Sequence, residues 1–169
     1  MIKYARKMIN LEELYNLQKE LDLEIAKNHN VSYETTHAKR LLALIVEFGE
    51  LANETRCFKY WSNKPSSAKE VVMDEYADGI HFLLSLGIPL HAHKYKYELK
   101  KEEKELTVQI LEVYSLATKL LKHYNLRNYT KCFQKYLNLA PMIGMSEQDI
   151  IDSYKSKLSV NHHRQETNY

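Results

Sequence analysis

Apolar residues recur every three or four positions along most of the chain, which is the spacing of one face of an α-helix. A first stripe begins at Leu11, and a second follows Ser32 or Thr35, either of which could cap its helix. The pattern predicts an all-α fold, a helical bundle of about six helices. The remaining helices are predicted over about residues 68–86, 106–124 and 128–139, and from Ser146 towards Arg164.

Interruptions in this pattern mark the connections between helices. Residues 60–67 (YWSNKPSS) break the periodicity, with Pro65 placed to open the next helix. Gly87, followed by Pro89, is typical of the end of that helix. The highly charged segment 95–104 fits either a solvated helix or a loop.

Composition narrows the fold class and the environment. The 169 residues predict a single domain spanning 1–169, and the presence of only 4 Gly and 3 Pro favours helices over a turn-rich β fold. The 24 basic and 22 acidic residues nearly balance, which argues against a nucleic-acid partner but permits a small anionic ligand. No run approaches the ~18 apolar residues of a membrane span, so no membrane association is expected. Cys57 and Cys132 have no metal-ligand spacing and favour a reduced, cytoplasmic setting without a secretory leader.

Two pairs of acidic residues carry the candidate chemistry. Glu47 and Glu50 are three positions apart, and Glu75 and Asp78 repeat that spacing on the next predicted helix, so each pair shares one helix face. If the two helices pack antiparallel, their carboxylates converge and repel one another unless a cation neutralises them. Oxygen ligands without Cys or His select a hard cation, which predicts Mg²⁺, with Mn²⁺ as a possible substitute.

The ordinary alternative is that each pair is a solvated helix face, since Glu is a common surface residue in helices. Recurrence of the pattern on two neighbouring helices weighs against it, as do the apolar residues beside Glu75 and Asp78. Glu54, one turn beyond Glu50, fits the cluster and the surface equally well. The eight histidines show no zinc-protease spacing, and no P-loop is present.

The spacing E-x-x-E followed by E-x-x-D resembles the all-α nucleoside triphosphate pyrophosphohydrolase superfamily, which includes MazG-like enzymes and the dimeric dUTPases. Four further segments resemble motifs of the dUTPase branch. They are residues 17–22 (LQKELD), 57–61 (CFKYW), 74–86 (DEYADGIHFLLSL) and 154–169 (YKSKLSVNHHRQETNY). Two positions in these segments depart from the family pattern, with Asp22 where many members have Asn and Asn168 where many have Gly.

The resemblance implies a dUTP diphosphatase, which hydrolyses dUTP to dUMP and pyrophosphate. It implies that Glu47, Glu50, Glu75 and Asp78 bind Mg²⁺ and that water attacks the α-phosphorus. Either Glu47 or Glu50 is expected to act as general base. A homodimer is likewise implied by the resemblance.

The last predicted helix carries the candidate phosphate contacts. Lys157, Asn161 and Arg164 are spaced four and three apart, which puts two cations and an amide on one face. Their alternative role is to complement the negative end of the helix dipole. The resemblance favours the phosphate role and adds Lys59 and Tyr169 as further candidates.

Gln18 is the candidate that would recognise the base. It falls among Leu14 and Leu21 in an apolar stripe, and its amide supplies both a donor and an acceptor that match uracil. A hydrogen bond to another core helix is the alternative. Trp61 and Phe82 are candidates for packing on the base or the deoxyribose. His81 faces away from Glu75 by periodicity and is assigned no chemistry.

Two other functions compete with dUTP hydrolysis. A MazG-like relative would perform the same chemistry on another nucleoside triphosphate, such as dCTP. A non-catalytic helical module would act through protein contacts, but such a regulator would be expected to lack part of the carboxylate set, and here all four positions are filled.

Overall fold

The structure, a computed structural model, describes residues 8–167. Most of this part of the chain is helical, in six long helices and a single-turn helix. The helices are α1 (Glu12–His29), α2 (Tyr33–Thr55), α3 (Lys69–Gly87), α4 (Leu106–Lys119), α5 (Leu126–Leu137), α6 (Leu139–Met142, the single turn) and α7 (Glu147–Glu166). The predicted all-α bundle of about six helices is therefore confirmed.

A small antiparallel pair of strands was not predicted. Strand β1 (Met8–Ile9) pairs with β2 (Tyr97–Glu98), inside the charged segment that fitted either a helix or a loop. The side-chain amide of Gln134 on α5 also holds the backbone N–H and carbonyl of Glu98. Two-residue strands leave no periodic signal in a sequence, so partners distant in the chain decide this structure.

Side-chain caps explain where α2 and α7 begin. Ser32 accepts a hydrogen bond from the backbone N–H of Thr35 at the start of α2, and Ser146 does the same with Asp149 at the start of α7. Helix α3, predicted over about residues 68–86, begins at Lys69, so the expectation that Pro65 opens this helix is wrong although the predicted bounds agree. Residues 56–68 form an irregular connection instead.

Helix α3 lies at the centre of the bundle, packed against α2, α7 and α1. Glu54 of α2 accepts a hydrogen bond from Ser67, two residues before α3, and Arg40 of α2 donates one to Ser85 near the end of α3, so the two helices run antiparallel. The core surrounds α3, and Tyr136 of α5 stacks between Phe48 of α2 and Tyr76 of α3. The antiparallel packing assumed for the two carboxylate helices is thus present.

Within residues 8–167, no helix is both long enough and apolar enough to cross a lipid bilayer.

Candidate active site

Three carboxylates converge where α2 crosses the middle of α3. Glu47 comes from α2, and Glu75 and Asp78 come from successive turns of α3. One oxygen from each lies within 4.8 Å of the others, and all three side chains are half-buried. Antiparallel pairing makes this possible, because a residue late in α2 then faces the first half of α3.

Glu50 lies at the edge of this group. It is exposed, it lines the same cavity as the other three carboxylates, and its charge raises the pKa values of Glu47 and Glu75. The four acidic residues singled out from the sequence therefore share one region, with three in a tight group and Glu50 beside them.

Burial and mutual repulsion change the protonation of these groups. Burial raises the pKa of Glu47 to about 7, and the charges of Asp78, Glu50 and Glu75 add to the shift. Burial likewise raises the pKa of Glu75 to about 7, with further contributions from Glu50 and Asp78. The cluster thus holds more negative charge than its surroundings stabilise.

The residues present fit a divalent cation. Oxygen Oε2 of Glu47 is buried and has no hydrogen-bond partner within the part of the chain that the structure describes. A buried carboxylate oxygen without a partner is costly, and a metal ion would satisfy it. Since Glu47, Glu75 and Asp78 offer only oxygen atoms, the set suits a hard ion rather than zinc or copper.

Lys157 of α7 lies against the same cluster. Its side chain is buried, and Nζ lies 2.7 Å from a carboxylate oxygen of Asp74 and 2.6 Å from one of Asp78. Burial opposes the charge on Lys157, but the hydrogen bonds to Asp74 and Asp78 outweigh it and raise its pKa. Asp74 was not singled out from the sequence, although it lies one turn before Asp78 and so shares its helix face.

The carboxylates open into a cavity of about 820 Å³, bounded by α1, α2, α3 and α7. This volume lies within the range of small-molecule sites. Five of the other residues selected from the sequence line it: Gln18, Phe82, Lys157, Asn161 and Arg164.

Gln18 is 3% exposed, and both ends of its amide are engaged. Oxygen Oε1 accepts a hydrogen bond from the Tyr154 hydroxyl at 3.1 Å and lies 2.7 Å from Nδ1 of His81. Nitrogen Nε2 donates to Asp22 at 2.9 Å. The amide therefore retains one N–H for a ligand, rather than the donor and acceptor expected from its chemistry alone.

Asp22 is the centre of a polar network that sequence reasoning left unassigned. Besides Gln18, its carboxylate accepts hydrogen bonds from the hydroxyl groups of Ser85 at 2.6 Å and Tyr33 at 3.1 Å. Arg40 donates to the Ser85 hydroxyl and lies 4.2 Å from the centre of the Tyr33 ring. The sequence signal was the position of Asp22 one turn after Gln18, but its partners on α2 and α3 could not be read from spacing.

His81 supports Gln18 from the other side. Its ring is buried and stacks on Tyr154 with the ring centres 4.1 Å apart, and burial lowers its pKa to about 4. Nitrogen Nε2 lies 3.3 Å from the carbonyl oxygen of Tyr154. A neutral imidazole has one N–H, so it can donate to Gln18 or to this carbonyl, but not to both at once.

Other residues selected from the sequence lie elsewhere. Trp61 is 65% exposed and packs edge-on against Phe58 and Tyr60, and Lys59 donates a hydrogen bond to Asn53. Neither Trp61 nor Lys59 lines the cavity. Glu54 accepts a hydrogen bond from Ser67 and also lies outside it. Tyr169 lies outside the described residues.

Comparison with known proteins identifies the family of this chain. A family model described as dUTPase matches residues 10–169, which is nearly the whole chain. The chain belongs to the dUTPase family. The match also confirms the family suggested by the sequence motifs and the assignment as a hydrolase that converts dUTP to dUMP and pyrophosphate. A search of curated proteins found no match.

Membership of the family bears on both competing functions. A hydrolase of this family acts on dUTP, so the non-catalytic module is set aside, and dUTP takes precedence over dCTP. The all-α architecture of residues 8–167 agrees with the dUTPase type proposed from the motifs.

Proposed function

We propose that this dUTPase depends on a divalent cation, Mg²⁺ in the cell with Mn²⁺ as a substitute, held by Glu47, Glu50, Glu75 and Asp78. The observation that carries the proposal is the convergence of three half-buried carboxylates, one of which, Glu47, has a buried Oε2 without a hydrogen-bond partner among residues 8–167. Such a group of like charges is stable only when protons, an internal cation or a bound ion offset it. When bound, the ion supplies positive charge to the phosphate oxygens and acts as a Lewis acid towards water.

The reaction is proposed as attack of water on the α-phosphorus of dUTP. The new bond joins the water oxygen to the α-phosphorus, and the bond between that phosphorus and the α–β bridging oxygen breaks, releasing pyrophosphate. Glu47 is the preferred candidate to accept the proton, since one of its oxygens lies within 4.8 Å of oxygens of Glu75 and Asp78, where the ion and the attacking water would be held. Glu50, exposed at the edge of the cluster, is the alternative base.

The triphosphate is proposed to lie along the face of α7 that lines the cavity. Asn161 and Arg164 line it there, with Lys157 between them and the carboxylates. An Arg side chain grips phosphate oxygens in pairs, whereas Lys acts as a point charge. Lys59 and Tyr169 complete the proposed set on the strength of the motif resemblance alone.

The uracil ring is proposed to contact Gln18 at the α1 side of the cavity, with Phe82 and Trp61 packing on the base or sugar. The remaining N–H of Gln18 matches a carbonyl oxygen of uracil, whereas cytosine presents an amino group where uracil has O4. Two donors would then face each other, which strongly disfavours dCTP. Of the two rings, only Phe82 lines the cavity, which supports it more than Trp61.

We further propose that residues 1–169 act as one domain, that the enzyme is a homodimer and that it works in the cytoplasm. Two neighbouring helices leave large apolar side chains 49–63% exposed, which suits an interface with a second copy. Both cysteines are free, as expected in a reducing compartment. The exposed side chains are Leu42 and Val46 on α2, and Val108 and Leu111 on α4.

The test is pyrophosphate release from dUTP, dCTP, dTTP and UTP, each with Mg²⁺ and with EDTA. Of the four nucleotides, we expect only dUTP to be turned over at a high rate with Mg²⁺, and we expect this turnover to be lost in EDTA. The Gln18→Leu variant should lose roughly 10-fold or more in its preference for dUTP over dCTP, whereas Gln148→Leu, on the surface of α7, should keep it. A preference for dCTP, or full activity in EDTA, would contradict the proposal.

A further inference from the structure

We propose that Lys157 is a built-in counter-cation of the carboxylate cluster, which neutralises Asp78 while no divalent ion is bound and is displaced from it when an ion binds. The inference rests on the proposed metal site. It makes Lys157 a regulator of metal affinity as well as a phosphate-binding candidate.

The geometry of Lys157 is the first support. Only 8% of the residue is exposed, and its ammonium group lies 2.7 Å from Asp74 and 2.6 Å from Asp78. Asp78 is also one of the three residues whose oxygens lie within 4.8 Å of one another. The ammonium group therefore binds a carboxylate of the proposed metal-binding group itself.

Charge supplies the second argument. A divalent ion bound by Asp78 would come within a few ångströms of the Lys157 ammonium group, where like charges repel strongly in a partly buried site. Asp74 is not part of the three-carboxylate group, and its side chain is 56% exposed. It can keep or release Lys157 at little cost, so the lysine has a route away from Asp78.

Displacement would have a consequence for the substrate. Lys157 lies on the same face of α7 as Asn161 and Arg164, and all three line the cavity. An ammonium group that leaves Asp78 is then available to the phosphate oxygens. Binding of the ion and grip on the triphosphate would be coupled through one side chain, with each favouring the other.

The first experiment titrates Mn²⁺ into the nucleotide-free protein by calorimetry. Lys157→Met should bind Mn²⁺ roughly 10-fold more tightly than the unaltered protein, because a competing positive charge is gone. In EDTA the same variant should melt at a lower temperature, and Mn²⁺ should restore its stability. Lys155→Met is the matched control, since Lys155 lies on the same helix but pairs with Glu13 at the surface.

A second measurement uses the unaltered protein, so it does not depend on how the variant folds. The rate at which a lysine reagent modifies Lys157 is followed by mass spectrometry with and without Mg²⁺. We expect slow modification in EDTA and a several-fold faster rate with Mg²⁺, with no change at Lys155.

The outcomes separate this inference from the proposed metal site. If the unaltered protein binds Mn²⁺ but Lys157→Met binds it equally or more weakly, Lys157 helps to orient Asp78 and the displacement is refuted. An unchanged or slower modification of Lys157 in Mg²⁺ would refute it as well. If the unaltered protein binds no Mn²⁺, both proposals fail.

Discussion

At the scale of single residues, the site is defined by charges that the fold holds close together. The spacing of Glu47, Glu50, Glu75 and Asp78 indicated this cluster from the sequence, because helical periodicity shows which residues share a face. The pairing of Lys157 with Asp74 could not be predicted, since periodicity does not identify partners on another helix. The same limit applied to Gln18, because its position in an apolar stripe was evident from the sequence but its hydrogen-bond partners were not.

The protonation of the cluster leads to a prediction about pH. Burial, together with Glu50 and Asp78, raises the pKa of Glu75 to about 7, while Lys157 acts in the opposite direction. A carboxyl group whose pKa rises on folding stabilises the protein fully at low pH, and loses that contribution as pH rises towards 7. Without metal, Glu75→Gln should therefore match the unaltered protein near pH 5 and melt at a higher temperature at pH 8.

Thermal melting in EDTA between pH 5 and 8 checks this, with Glu70→Gln on the exposed side of α3 as the control. Added Mg²⁺ should reverse the order at pH 8, because only the unaltered protein keeps all four proposed ligands. A difference in melting temperature that does not change with pH would contradict the account.

At the scale of elements, the central unit is the antiparallel pair of α2 and α3. Most helices could be predicted because apolar stripes and capping residues, such as Ser32 and Ser146, are local signals. The start of α3 at Lys69 agrees with the predicted start near residue 68, but Pro65 does not open the helix and lies in the irregular connection before it. Strand β2 was not predicted, because it is defined only by its hydrogen bonds to partners in β1 and α5.

Close packing in the middle of α3 gives a prediction about stability. A Cβ atom added at Gly79 would lie 2.1 Å from the hydroxyl oxygen of Tyr136, a fully buried side chain that donates a hydrogen bond to the Tyr76 carbonyl. Gly79→Ala should lower the free energy of unfolding by about 1–3 kcal/mol, despite the better helix propensity of Ala.

Urea unfolding measures this change. Gly49→Ala on α2 is the control, because its added Cβ would meet only the Tyr114 hydroxyl, at 3.2 Å. Gly79 adjoins Asp78, so the Gly79→Ala variant should also lose activity as α3 shifts. Equal stability of Gly79→Ala and the unaltered protein would show that α5 does not press on α3 as described.

At the scale of the whole molecule, the candidate active site is built from side chains that are far apart in the sequence. The cavity combines Gln18 of α1, Glu47 of α2, Asp78 of α3 and Arg164 of α7, and the dUTPase family match spans residues 10–169. The order of motifs along the chain indicated the family, and the bundle brings residues from motifs near both ends of the chain to one cavity. The cavity and the network around Asp22 could not be predicted from the sequence, because both arise from the packing of these helices.

Binding of Mn²⁺ in the presence of α,β-imido-dUTP, a non-hydrolysable substrate analogue, tests the central claim most directly. Electron paramagnetic resonance would count the bound ions and measure their affinity for the unaltered protein, for Glu75→Gln and for Glu70→Gln as the control. We predict tight binding by the unaltered protein and the control, and a loss of at least ~10-fold in Glu75→Gln. Equal affinity in all three proteins would contradict the claim that the carboxylates of α2 and α3 hold the ion that binds the triphosphate.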